Sequence, residues 1–263
     1  MSTLEPDAIN RLLTAVATGT PRMLATLAML PFFTRQNLAA LHRTAIAIVF
    51  ILPALPFMDL QAQQHAFAGG SLFLLILKES AIGFILGFAL AIPFWATEGL
   101  GFVIDNQRGA TTSGMANPMS GDDSSPLAIL INQSYVVLFL SLYGLNMVIG
   151  VVYQSYALWP ISAPMPRFDP AFATHFLGLL DNLMRTAIVL AAPAMIAMLL
   201  AELALAFVSM FAPQMQVFFL AMPIKSGIAL FVLVIYFSTL MDYLALDFAR
   251  FRSLLDTMAK LMR

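Results

Sequence analysis

The sequence predicts an all-α fold: a polytopic helical membrane protein with kinked helices and a C-terminal helical hairpin. Three observations predict it: few ionic groups, long apolar runs, and prolines in or beside those runs. Of 263 residues, 60% are hydrophobic and 10% charged, against roughly 25% charged in a soluble domain. So few charges cannot cover a water-exposed surface, and much of this surface must face lipid or apolar protein. Six apolar runs stand out, at 12–33, 43–58, 71–96, 126–152, 186–212 and 216–241.

A helix that crosses the hydrocarbon core needs about 20 apolar residues, and the last four runs reach that length. The first run is interrupted by Gly19-Thr20-Pro21-Arg22, and the second is short and carries Pro53 and Pro56. Both are expected to be kinked, tilted or buried in protein. Gly69-Gly70-Ser71 breaks the chain before the third run. Ser125-Pro126 offers an N-cap residue followed by proline at the first helical position, and Asp169-Pro170 repeats the pattern. Pro213 and Gln214 read as a tight turn joining a helical hairpin over 186–241. The chain therefore divides into an N-terminal helical portion, 1–185, the hairpin, 186–241, and a tail, 242–263.

Orientation is in conflict at this level. The tail carries Arg250, Arg252, Lys260 and Arg263 against Asp256, which puts it on the cytoplasmic side. Six spans would then place Arg35 and Arg43 outside, against the same rule. Either one run does not span, or the protein does not lie in a flat bilayer. The N-terminus, with Glu5 and Asp7, lacks the basic start of a secretory signal.

Charges inside the runs need partners, because a charge at the bilayer centre costs at least about 2.5–3.5 kcal/mol. Lys78 and Glu79 lie in the third run, Glu202 in the fifth and Lys225 in the sixth. With the hairpin midpoint between Pro213 and Gln214, Glu202 and Lys225 each stand roughly 17 Å from the turn at 1.5 Å per residue. They are expected to meet as a buried pair that fixes hairpin register. Pro223 adds to that site by leaving the Phe219 carbonyl without its helical donor. The alternative is that each charge faces another subunit or a water-filled cavity. Lys78 and Glu79 are adjacent, so they are expected to point to different faces without pairing, each with its own partner. Gly83 and Gly87 have small-xxx-small spacing, which suits close helix packing.

Several function classes are disfavoured. A net charge of −1 offers no nucleic-acid footprint. There are no cysteines, and His42, His65 and His175 are far apart, so no metal or other cofactor is expected. No Walker A motif is present. An intramembrane hydrolase would need facing catalytic groups, whereas no Asp is central to any run and no His lies in the last four. Ser134, Tyr135 and Ser141 read as helix-packing polar groups. A secondary transporter would pair broken helices in inverted repeats, and no convincing internal repeat is present.

The most informative segment runs from Glu98 to Gly109 and opens into a polar, glycine-containing loop of about 20 residues. Gly109, Gly114 and Gly121 give it freedom, Thr111, Thr112 and Ser113 give it small hydroxyls, and Met115 and Met119 give it adaptable apolar side chains. It reads either as a solvated connector or as a pore-lining or gating loop. Asp105 and Arg108, three apart at the helix end, are expected to pair locally or with a partner subunit, or simply to stabilise the helix terminus.

Five motifs in order carry a family resemblance: I-D-N-Q-R-G at 104–109, N-P at 117–118, S-P-L at 125–127, Q-S-Y-x-L-W-P at 154–160 and P-Q-M-Q-V-F-F-L-A-M-P-I-K-S at 213–226. Together they resemble the T-subunit of the bacterial type III secretion export apparatus, whose homologue is the flagellar export-gate R-protein. Asn117-Pro118 stands where relatives often have Asp-Pro. The Q-R-G and Y-x-L-W-P variants look closer to the non-flagellar branch.

The resemblance implies a non-enzymatic, multi-pass protein of the bacterial inner membrane, assembled with R- and S-subunits into a funnel lifted toward the periplasm. Such a lift would remove the orientation conflict. Unfolded effector proteins would pass through the gated entrance of this channel, with no nucleic acid involved. The loop at 106–123, including Asn106, Gln107, Arg108, Gly109, Met115, Asn117, Pro118 and Met119, would be the plug. Lys78, Glu79, Glu98, Asp105, Glu202 and Lys225 would be buried or interface charges, and Pro213, Gln214 and Pro223 the hairpin turn and kink. The hairpin would pack on a neighbouring S-subunit, and the tail would lie near a cytoplasmic switch protein. The competing function is a secondary transporter of a small solute.

Overall fold

The computed structural model describes residues 6–34, 38–55, 69–110, 125–163, 165–166, 168–211, 217–246, 256–258, 260 and 262. Seven long helices account for most of them: α1 (Pro6–Met29), α2 (Ala40–Ile51), α3 (Gly69–Arg108), α4 (Pro126–Ser141), α5 (Gly144–Leu158), α6 (Ala171–Phe211) and α7 (Val217–Leu246). Short 3-10 turns at Pro31–Phe33 and Leu52–Ala54 follow α1 and α2. The one β feature among the described residues is an isolated bridge between Phe168 and Met262. Among the described residues three helices are long and apolar enough to cross a membrane, and a fourth span is added if the broken pair α4–α5 counts as one. The protein is thus an all-α polytopic membrane protein.

The helices run further than the apolar runs do. α3 has 40 residues, roughly 60 Å at 1.5 Å per residue, about twice the hydrocarbon thickness. Hydropathy ends the third run at 96, but the helix continues through Glu98 and Asp105 to Arg108. Likewise α6 begins at Ala171, because Asp181 and Arg185, which end the apolar run, are exposed positions of the same helix.

Two sequence expectations are corrected. Gly19-Thr20-Pro21-Arg22 does not interrupt the first run, since α1 is continuous with Pro21 inside it. Proline removes one donor and crowds the preceding turn. Polar groups cover that stretch instead: the Thr18 hydroxyl donates to the Thr14 carbonyl at 2.8 Å, Thr20 to Val16 at 2.6 Å, and the Tyr156 hydroxyl to the Gly19 carbonyl at 2.7 Å. Conversely, the run 126–152 is not one helix. It breaks at Leu142–Tyr143, where Tyr143 adopts a left-handed backbone at φ 58° and ψ 28°, a conformation uncommon for a bulky residue. Ser125 caps α4 as expected, its hydroxyl accepting from the Ala128 amide at 3.2 Å. Asp169 does the same for α6, accepting from the Ala171 amide at 2.8 Å.

The chain forms two compact units. The first comprises 1–92, 143–176 and 248–263, and the second 93–142 and 177–247. In the first, Met23, Leu27, Ile82, Leu86 and Val152 make a buried core. There α1 and α3 meet backbone to backbone: a Cβ on Gly83 would collide with the Arg22 carbonyl, and one on Gly87 would lie 2.7 Å from the Thr26 oxygen. The Thr26 hydroxyl donates to the Gly83 carbonyl at 3.0 Å. In the second, Phe94 packs edge-on against Tyr135 and Phe139, with centroids 4.9 and 5.0 Å away. Gly101 of α3 lies against the backbone of Leu127 and Ala128 at the start of α4.

That last contact makes a prediction. Gly101→Ala puts a methyl into the α4 backbone and is expected to destabilise by about 1–3 kcal/mol, as overpacking does. Gly150→Ala, where nothing lies within 4 Å, is expected to be neutral or slightly stabilising. Thermal unfolding of both variants in detergent checks this, and equal melting temperatures would contradict it.

Candidate functional site

Arg22 organises the first cluster. It is 0% exposed, and each guanidinium nitrogen has an acceptor. Nε lies 2.7 Å from Glu79 Oε2, Nη1 donates to the Ser155 hydroxyl at 3.0 Å, and Nη2 donates to the Trp159 carbonyl at 2.9 Å. The guanidinium carbon sits 4.1 Å from the centroid of the Tyr156 ring, a cation–π contact. Lys78 brings a second cation: Nζ lies 3.0 Å from Glu79 Oε1 and donates to the carbonyls of Pro160, Ile161 and Ala163 at 3.2, 2.8 and 2.9 Å.

The expectation that Lys78 and Glu79 cannot pair is wrong. Adjacent helical residues do start out on different faces, but the long lysine stem curls back until its ammonium reaches the carboxylate that Arg22 also holds. Two cations share one carboxylate here, and backbone carbonyl dipoles satisfy the remaining ammonium protons. Arg22 is the residue that the sequence reading missed. The signal was available: an arginine inside an apolar run requires a partner by the same reasoning applied to Lys78 and Glu79. Classing it as part of a helix break hid it.

The second cluster closes the base of the loop. Asp105, near the end of α3, is 0% exposed. Its Oδ1 lies 2.6 Å from Arg108 Nε. Its Oδ2 accepts from the Leu127 amide at 2.8 Å and from the Ser125 hydroxyl. Of the roles considered for Asp105 and Arg108, the structure has the local pair, and adds the bonds to the N-terminus of α4, where helix-end amides favour an anion. Gln107 donates to the Met195 carbonyl at 3.1 Å, tying the same helix end to α6. Gly109 takes φ 81°, and a Cβ there would lie 3.7 Å from the Met222 side chain of α7. Asn106 is exposed. Met115, Asn117, Pro118 and Met119 lie outside the described residues. Glu98, expected as a buried or interface charge, is exposed on α3 within this chain.

In the hairpin, Lys225 Nζ lies 2.7 Å from Glu202 Oε2, with side chains 12% and 54% exposed. The contact is the one expected across α6 and α7, but the expected burial does not hold within this chain. Little else covers this stretch: Leu199, Leu203 and Leu230 nearby are also exposed. Pro223 lies inside α7, while Pro213 and Gln214 lie outside the described residues. Among the described residues no group of three or more His, Cys, Asp or Glu could hold a metal. These sites are electrostatic clamps between helices.

Comparison with known proteins gives a consistent result. A family model described as bacterial export proteins, family 1, matches residues 13–251. Over 244 residues the chain is 36% identical to Yop proteins translocation protein T of Yersinia pestis, covering 90% of this chain and 91% of that relative. It is 35% identical over 231 residues to surface presentation of antigens protein SpaR of Salmonella typhimurium, covering 88% and 85%. It is 24% identical over 220 residues to flagellar biosynthetic protein FliR of Bacillus subtilis, covering 83% and 84%.

The Arg22 cluster predicts an asymmetry. Glu79→Gln leaves two buried cations without their carboxylate and is expected to cost about 3–5 kcal/mol. Replacing Arg22, Lys78 and Glu79 together by Met, Met and Leu removes the charges and is expected to cost much less. Denaturant titration in detergent measures both, and a triple variant less stable than the single one would refute the assignment.

Proposed function

Because this chain belongs to the bacterial export proteins, family 1, we propose how its own residues serve the gate of a type III protein export apparatus. It is a core subunit of that apparatus, acting in protein export and not in solute transport. It is a multi-pass protein of the bacterial inner membrane, and the family is one of structural export-apparatus proteins. We read the chain as non-enzymatic, assembling with R- and S-subunits into a funnel that protrudes toward the periplasm. Unfolded polypeptide passes through it, and a switch protein sits on the cytoplasmic side.

Within that frame the loop at 106–123 is the plug. The observation that carries this reading is the position of Asp105. The buried carboxylate of Asp105, just before the loop, binds Arg108 in the loop's first residues and Ser125 and Leu127 after it, so both ends are held at one point. Pinning the ends offsets the chain entropy of closing a loop of this length and confines its reach. A plug needs both properties: a fixed root, and apolar side chains that can repack around a passing chain. Methionines such as Met115 and Met119 suit the second role. Glu202 and Lys225, with Pro223, hold the register of the C-terminal hairpin, whose exposed apolar faces meet a neighbouring S-subunit or lipid.

Deleting residues 109–121 is expected to leave assembly with partner subunits intact but to make the idle complex leak ions. Single-channel conductance of the purified complex tests this, and conductance equal to that of the parent removes the plug assignment. Asp105→Asn keeps the side-chain shape but loses the charge-assisted bonds, worth roughly 1.5–3 kcal/mol. It is expected to give an intermediate leak without loss of assembly.

A further inference from the structure

We infer that Asp256, Met258, Lys260 and Met262 belong to a latch that seats on Trp159 and holds the 159–163 turn over the Arg22–Glu79–Lys78 cluster. The latch is a two-faced segment. Met258 and Met262, four apart, are 0% and 1% exposed, while Asp256 and Lys260 face outward. The Met262 amide donates to the Met258 carbonyl at 2.9 Å. The Met262 carbonyl accepts from the Trp159 indole Nε1 at 2.7 Å, and Met262 also bridges to Phe168.

The seat is held from the other side by the charge cluster. Arg22 binds the carbonyl of the same Trp159, and Lys78 binds the carbonyls of Pro160, Ile161 and Ala163. A buried indole N–H needs an acceptor, and a buried ammonium needs several. The turn supplies the donor to one side and the acceptors to the other. If the latch lifts, Trp159, now 7% exposed, is uncovered and the turn loses its outer support. If Lys78 loses its charge, the turn loses its inner support and the latch its fixed seat. The two are linked through one short piece of backbone, so release of either loosens the other. Met258 and Met262 are therefore part of the fold of the first unit, and among the described residues of this segment Asp256 and Lys260 stay exposed to a partner.

The chain has two tryptophans, so Trp95→Phe in the full-length protein leaves Trp159 as the sole reporter. In that background Met258→Gln with Met262→Gln is expected to red-shift Trp159 emission and to raise acrylamide quenching roughly twofold, as a local opening does. Lys78→Met is expected to raise quenching in the same direction, whereas Lys260→Ala leaves it unchanged. Quenching unmoved by the methionine substitutions overturns the latch, and quenching unmoved by Lys78→Met overturns its link to the cluster. Should the substituted chains fail to fold, indole N–H exchange in the Trp95→Phe protein decides alone: a slow Trp159 indole supports the latch, and free-solvent exchange overturns it.

Discussion

The first unit is organised around one carboxylate that water does not reach. Glu79 is fully buried and is shared by Arg22 and Lys78. Ions removed from water recover their solvation only through good geometry and additional hydrogen bonds. That requirement dictates much of the surrounding packing. α1 must approach α3 closely enough for Arg22 to reach, so Gly83 and Gly87 carry no side chain where the helices touch. The end of α5 must present Ser155 and the Trp159 carbonyl to the guanidinium. The turn that follows must aim three carbonyls at Lys78. An apolar core would tolerate several packings of these helices, whereas this cluster is satisfied by one.

The second unit applies the same principle at smaller scale. Asp105 is buried at the junction of α3 and α4, and its three donors come from both sides of the loop. Gly101 lets the α4 backbone lie directly against α3 there. The loop root is thus a rigid joint between two helices, and the hairpin charges are a looser one, since Glu202 is half exposed.

The fold class, Ser125 as a cap and the Glu202–Lys225 contact were legible because each follows from local rules: hydropathy, capping chemistry, or residue spacing along a hairpin. Helix ends were less legible. Hydropathy stops at Asp181 or Glu98, but a helix continues wherever such a residue can face outward. The charge cluster was half legible. Lys78 and Glu79 were visible as charges needing partners, but apart from each other their partners come from residues 57 or more positions away in sequence, and no periodicity encodes that distance. Reading Pro21 as a break concealed Arg22, because threonine hydroxyls and a tyrosine from another helix shelter that stretch. The left-handed Tyr143 was likewise invisible, since the run around it is apolar throughout.

The interleaving of the two units has a consequence for biogenesis. The second unit ends at 247, whereas the first, although it starts the chain, takes in 248–263. Domains usually fold in the order in which they are made, but here the earliest helices must wait for residues made after the whole second unit before their own unit is complete. A ribosome that stalls short of Met258 would deliver a nascent chain with Trp159 uncovered, and membrane quality control would have a simple mark by which to tell an unfinished subunit from a finished one.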